Sequence, residues 1–337
     1  MWMLSNRTPF AAERNWSLDK NAGKSWVVGV KGTFDILPNG TTRLAEKQEK
    51  VLYVEEYYGE PGKSSLRYDG DLGGPKRSTD VILNGHAYSP MGRMATEVVV
   101  SLTVHDITKQ LRVFGNRRWK SGVLGLSMTP PDWFERMPLT YERAFGGFDT
   151  VSENRQDHRL EPRNPVGSGF AIRPEHLVDQ PLPNVEYPNE TISSWKDRPR
   201  PAGFGVVASY WSPRLQYAGT YDEKWKKERF PLPPNDLDER FVQCAPSDQQ
   251  TVLRGGEKVE LINLTPGGRL TFRLPKVRLG FETRFGRDRV PHQGRLHTVI
   301  LEPDVPRVML VWHTTLPCST SRVDYLDETL IYEKEYL

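Results

Sequence analysis

Ten prolines stand between Pro181 and Pro246. A stretch that carries them so densely cannot run a long helix or an unbroken central strand. Proline lacks the N–H that a helix or a sheet ladder needs, and its ring clashes with the preceding turn. Aromatic residues are set among them: Tyr187, Trp195, Phe204, Tyr210, Trp211, Tyr217, Tyr221, Trp225 and Phe230. A disordered linker is poor in such rings. The region is therefore expected to be ordered but irregular, with rings buried under loops. One helix is expected, at 222–229 (DEKWKKER), capped by Thr220 or Asp222 and ended by Pro231. Its acidic residues lead and its basic residues follow, as the helix dipole favours.

On both sides of this region the patterning is that of strands. Residues 25–36 (SWVVGVKGTFDI) are rich in β-branched and aromatic side chains and run into a Pro38-Asn39-Gly40 turn. Residues 51–58, 80–86 (DVILNGH) and 97–105 (EVVVSLTVH) read as further strands, and 109–114 (KQLRVF) as the return strand of a hairpin. Strands return at 258–264, 269–274, 277–283, 297–302 and 307–313, and the tail 322–336 has room for one or two more. The fold class expected is mostly β: antiparallel sheets, sandwich- or barrel-like, with a long Pro/Gly/aromatic-rich loop layer and few short helices. A single domain is expected, with an N-terminal β unit (1–120), a loop-rich middle (121–250) and a C-terminal β unit (251–337).

Charge and cysteine content exclude several function classes. The net charge of +3 is the difference of 46 basic and 43 acidic residues, too small and too evenly spread for nucleic acid or an anionic membrane. Cys244 and Cys318 stand alone, so neither a disulfide framework nor a cysteine-rich zinc site is expected. The first ten residues, MWMLSNRTPF, lack a basic region followed by an apolar run, and no run is long enough to span a bilayer. A cytoplasmic location and no cofactor are the expectations.

No motif in the sequence carries an enzyme. Gly23-Lys24-Ser25 and Gly62-Lys63-Ser64 lack the glycine a phosphate loop needs five residues earlier, where Leu18 and Tyr57 stand. Gly-x-Ser-x-Gly does not occur, since Gly167-Ser168-Gly169 lacks its flanks. His292 and His297 are five apart, the wrong spacing for one helix face. Asp236, Asp238 and Glu239 lack the glycine pivot of a calcium loop and read as a solvated acidic turn. The segment 137–149 (MPLTYERAFGGFD), continued at 163–170 (RNPVGSGF), stands out instead. Tyr141 and Phe145 offer large apolar faces beside Glu142 and Arg143. Gly146, Gly147, Gly167 and Gly169 permit turns and close backbone approach, and Asn164-Pro165 starts one. A structural corner is the plain reading. A hydrolase using Glu142, Asp149 and His158 is one alternative, and a carbohydrate-binding β module is another.

The ordered set of motifs resembles a family of domains of uncharacterised type encoded beside type VI secretion effectors and spike proteins in Gram-negative bacteria. The resemblance runs through NRTPF (6–10), VGVKGTF (28–34), DLGGPKRSTDVILNGHAYSP (71–90), FGNRRW (114–119), MPLTYERAFGGFD, RNPVGSGF, LPNVE (182–186), PAGF (201–204), AGTYDEKWKKERFP (218–231) and APSDQ (245–249). Some relatives continue into a pentapeptide-repeat extension, whereas this sequence stops at Leu337. What the resemblance implies is a cytoplasmic adaptor or chaperone that binds a cognate effector and helps load it onto the spike. The spike protein is a second expected partner. The resemblance carries no catalytic residues. Trp195, Trp211 and Trp225 are the aromatics expected to meet a partner.

Overall fold

In the computed structural model, which describes residues 2–122 and 125–334, the β-branched run near the N-terminus forms the longest strand, Lys24–Ile36. It lies inside a seven-stranded sheet. The order is Gln250–Thr251, Thr79–Leu83, Arg295–Glu302, Arg307–Pro317, Lys24–Ile36 and Ala11–Leu18, with Thr42–Leu44 also pairing to Lys24–Ile36. Pairing is antiparallel except where Thr79–Leu83 lies parallel to Arg295–Glu302. Residues 26–34 are buried without alternation, the mark of a strand covered on both faces.

A five-stranded antiparallel sheet is built on the predicted hairpin, Glu97–Val104 with Ile107–Phe114, and on Lys258–Ile262 with Arg269–Arg273. His105, at φ +54°, and Asp106 make the hairpin's two-residue turn. A four-stranded sheet has the order Met3–Asn6, Leu326–Glu333, Leu279–Phe285 and Asp288–Gln293. The three sheets enclose one core. Val28, Val30, Val81, Val299 and Leu310 come from the first, Val100, Leu111 and Leu261 from the second, Phe281 and Ile331 from the third. The mostly-β reading holds, and helices are few and short.

The opposite face of the seven-stranded sheet is covered by loops. Ile82, Ile300 and Met309 meet Tyr141, Val206, Trp211 and Cys244 in a second core. Polar residues pin this layer down. Lys31, pointing out of its strand, reaches Asp71 at 2.9 Å, and the same carboxylate accepts the Leu52 N–H at 2.8 Å. The strand expected over 51–58 is absent apart from Glu56–Tyr57, because Val51 and Leu52 are both buried as irregular backbone tied to the sheet by side chains. DVILNGH also divides, into Thr79–Leu83 and His86–Tyr88. Between them Asn84 donates to the Arg67 carbonyl. Met3–Asn6, Ala11–Leu18 and Asp288–Gln293 were not foreseen, being too polar to alternate cleanly.

Candidate functional site

The segment 137–170 is a brace. Tyr141–Arg143 makes one 3-10 turn, and Asn164, fully buried, donates from Nδ2 to the carbonyls of Tyr141 (2.8 Å) and Phe145 (3.0 Å). Its own carbonyl accepts from Gly147 and from Gly167 across Pro165 and Val166. Gly146 has φ +155°, and a Cβ there would stand 2.1 Å from the Asn164 carbonyl oxygen. Only glycine fits. Phe145 and Gly146 then pair in parallel with Ser168 and Gly169, the last at φ +87°. Tyr141 meets Trp211 edge to face at 5.2 Å.

The two charges of the Tyr141–Arg143 turn are spent separately. Glu142 accepts from the Ser65 N–H (2.6 Å) and hydroxyl (2.8 Å). Arg143 donates to Asn184 Oδ1 at 2.9 Å. Asp149, buried, accepts from the Ile172 N–H and pairs with His176 Nδ1 at 2.9 Å. Burial works against its charge, but these donors win and hold its pKa below the ordinary carboxylate range. His158 bonds the Ser152 carbonyl through Nε2 at 2.8 Å. Glu142, Asp149 and His158 share no hydrogen bond among themselves, and the partner of Asp149 is His176 rather than His158.

The aromatics divide by burial. Trp211 is 0% exposed, which corrects the expectation that it meets a partner: its ring fills the second core against Tyr141. Trp195 is half-buried against the small cluster of Trp119, Phe145 and Leu177. Trp225 lies on the expected helix, Glu223–Glu228, whose cap is Asp222 accepting the Trp225 N–H. Its ring sits 4.7 Å from Tyr221 and 5.9 Å from Phe230. Tyr221 is 56% and Phe230 68% exposed. The interplanar angles are 68° and 85°, so these rings give no coplanar platform for a sugar.

A cleft of about 860 Å³ opens where the seven- and four-stranded sheets meet. Lys76, Arg77, Arg254, Arg278, Arg295 and Lys334 line it, and among the described residues no Asp or Glu does. Lys76 is buried and paired with Asp80 at 2.6 Å. Burial works against its charge, but Asp80 more than offsets this and raises its pKa above the ordinary lysine value. Arg77 pairs with Glu239 at the rim.

Beside these cations lie three neutral histidines. Lys76 donates to Thr298 Oγ1 (3.0 Å), which stands 3.1 Å from His297 Nδ1. His297 stacks on His313 with ring centres 4.7 Å apart. Burial, then the Lys76 ammonium, hold His297 well below the usual imidazole value and His313 at about 4.

His292 belongs to a chain of bonds whose direction follows from its ends. Trp26 Nε1 donates to Thr329 Oγ1 (2.9 Å), and the Thr329 and Thr283 hydroxyls are 2.8 Å apart. His292 Nε2 lies 2.8 Å from Thr283, and Nδ1 lies 2.7 Å from Thr314. Thr314 donates to the Gln293 carbonyl. A carbonyl can only accept, so Thr314 spends its one hydroxyl proton on Gln293 and accepts from His292 Nδ1–H, and the neutral ring then accepts from Thr283 at Nε2. An imidazolium would donate at Nε2 as well and turn the Thr283 hydroxyl round toward Thr329. Burial lowers the His292 pKa to about 4.

Comparison with known families adds one match. The description "uncharacterized protein conserved in bacteria (DUF2169)" fits residues 21–313. The chain belongs to the DUF2169 family. No curated protein and no solved structure matches it. The DUF2169 match takes in the brace, the Trp225 helix and every cleft cation except Lys334. Among the described residues no cluster of His, Cys, Asp and Glu could hold a metal, and no helix is long and apolar enough to cross a membrane. The cleft went unread in the sequence because its cations come from five separate segments. The Gly73-Gly74-Pro75-Lys76-Arg77 run was the one local signal.

Proposed function

We propose that this DUF2169 protein is a cytoplasmic adaptor that binds a cognate type VI secretion effector and helps load it onto the spike. One observation carries the reading. Tyr221, Trp225 and Phe230 form an aromatic cluster at the surface, and an exposed apolar cluster with a polar rim marks an interaction site. Lys224, Lys226 and Lys227 on the same helix supply the rim. The cluster is held in place rather than floppy. Trp225 Nε1 donates to the Leu232 carbonyl at 2.9 Å, and Arg229 donates to the Pro233 carbonyl. A partner therefore finds rings already ordered, which lowers the entropy cost of binding. The order of family-like motifs across the sequence supplies the secretion context.

The test is co-expression with the product of the neighbouring effector gene, followed by size-exclusion chromatography. Co-elution, with the effector soluble only beside this chain, is the expected result. Phe230→Ala, in which an exposed ring is removed, leaves the fold intact and weakens the complex about ten-fold or more, as for a central aromatic contact. Separate elution with an effector equally soluble alone contradicts the adaptor reading.

A further inference from the structure

Many arginines of this protein are held in ion pairs, among them Arg112 with Glu97, Arg163 with Glu161, Arg200 with Glu190 and Arg240 with Asp238. The cleft between the seven- and four-stranded sheets gathers cations that are not. Arg254, Arg278, Arg295 and Lys334 line it, and none makes an ion pair or a side-chain hydrogen bond among the described residues. The two carboxylates bonded to the remaining lining cations are already engaged. Asp80 is held by Lys76, Gln243 and the Cys244 N–H, and Glu239 by Arg77. Among the described residues the lining of this concavity carries charge of one sign, in a sequence with nearly equal basic and acidic pools.

We infer that this cleft is a binding site for a small multivalent oxyanion of the phosphate class. Three features of the geometry support it. The volume, about 860 Å³, lies in the range of small-ligand pockets. Guanidinium groups offer paired N–H donors in the fork that matches a phosphate or carboxylate edge. Low-dielectric walls concentrate the field of like charges, which attracts a counter-charge into the cleft. The stems are placed by the fold. Arg278 and Lys334 are brought together by the backbone bond from the Lys334 N–H to the Arg278 carbonyl. Gly280 leaves room for the Lys334 stem, whose Cε would stand 2.8 Å from a Cβ at that position.

A concave, pocket-sized site favours a compact ligand over a polypeptide. A carboxylate-rich segment of a protein partner offers similar oxyanions spread along a chain, and the experiment separates the two. Isothermal titration of the full chain with inorganic tripolyphosphate is expected to show saturable binding. That binding weakens about ten-fold or more in Arg278→Gln/Arg295→Gln, two exposed substitutions that leave the circular dichroism spectrum unchanged. Lys224→Gln/Lys226→Gln/Lys227→Gln removes three positive charges outside the cleft lining, against two within it, and keeps full affinity. Loss of affinity in both variants alike would mean diffuse charge attraction and overturn the site. So would binding of a hexaglutamate peptide with none of tripolyphosphate, or no saturable binding of either. None of these outcomes depends on the effector complex, which is read through Phe230.

Discussion

At the scale of single residues, the buried histidines tie stability to pH. His292 and His313 are held down to about 4, against an ordinary value of 6.5. Between those values the unfolded chain takes up protons that the native state refuses. Stability is therefore full above about pH 6.5 and falls as the pH drops toward 4, by up to about 1.4 kcal/mol per pH unit for each imidazole. Urea unfolding at pH 7, 6 and 5 measures this, and NMR titration should find both rings still neutral at pH 5. A flat stability profile from pH 6.5 to 5 contradicts the assignment. Trp211 and Trp225 show how far a residue can be read from its neighbours. Trp225 sits in DEKWKKER, which is polar on every side, a local sign of an exposed helix. Trp211 has no such sign, and its burial follows from Tyr141, seventy positions away in the sequence.

At the scale of elements, the question is what ties the five-stranded sheet to the loop layer. Lys109, on Ile107–Phe114, has a buried side chain. Its Nζ donates to the Gly203 carbonyl (2.7 Å), Asp248 Oδ1 (2.8 Å) and Gln249 Oε1 (2.7 Å). Gln249 in turn donates to the carbonyls of Val81 and Phe204, so one ammonium joins both large sheets to the loops. Burial is the largest influence on it and lowers its pKa to about 8, against the opposing pull of Asp248. Lys109→Met keeps the stem's packing and strands two buried acceptors. It should lower unfolding stability by about 1–3 kcal/mol, read as a lower urea midpoint with an unchanged slope. The hairpin that carries Lys109 was legible from its alternation and short turn. The tie was not, because a lysine at an inward position reads as an edge or an error until its three acceptors are seen.

At the scale of the whole molecule, strands from both ends of the chain alternate within one sheet. Lys24–Ile36 lies between Ala11–Leu18 and Arg307–Pro317, and Thr79–Leu83 lies beside Arg295–Glu302. The registers of Lys24–Ile36 on Arg307–Pro317 and of Thr79–Leu83 on Arg295–Glu302 each span more than two hundred residues, so neither end can bury its apolar face without the other. A fragment ending at residue 250 lacks two central strands of the seven-stranded sheet. It should give a collapsed amide NMR spectrum, whereas the full chain gives dispersed signals. A well-dispersed fragment spectrum contradicts this picture.

Short-range chemistry therefore settled much of the architecture. β-Branched runs named most of the long strands, prolines forbade long helices in the middle, and glycines at 146 and 169 anticipated a backbone that admits no Cβ. These depend on neighbours a few positions apart, which the sequence displays. Two things were decided only by the tertiary structure: which tryptophan is covered, and which cations line one cleft. Burial and electrostatic potential depend on distances between segments remote in the chain. Those distances exist only after the sheets have paired.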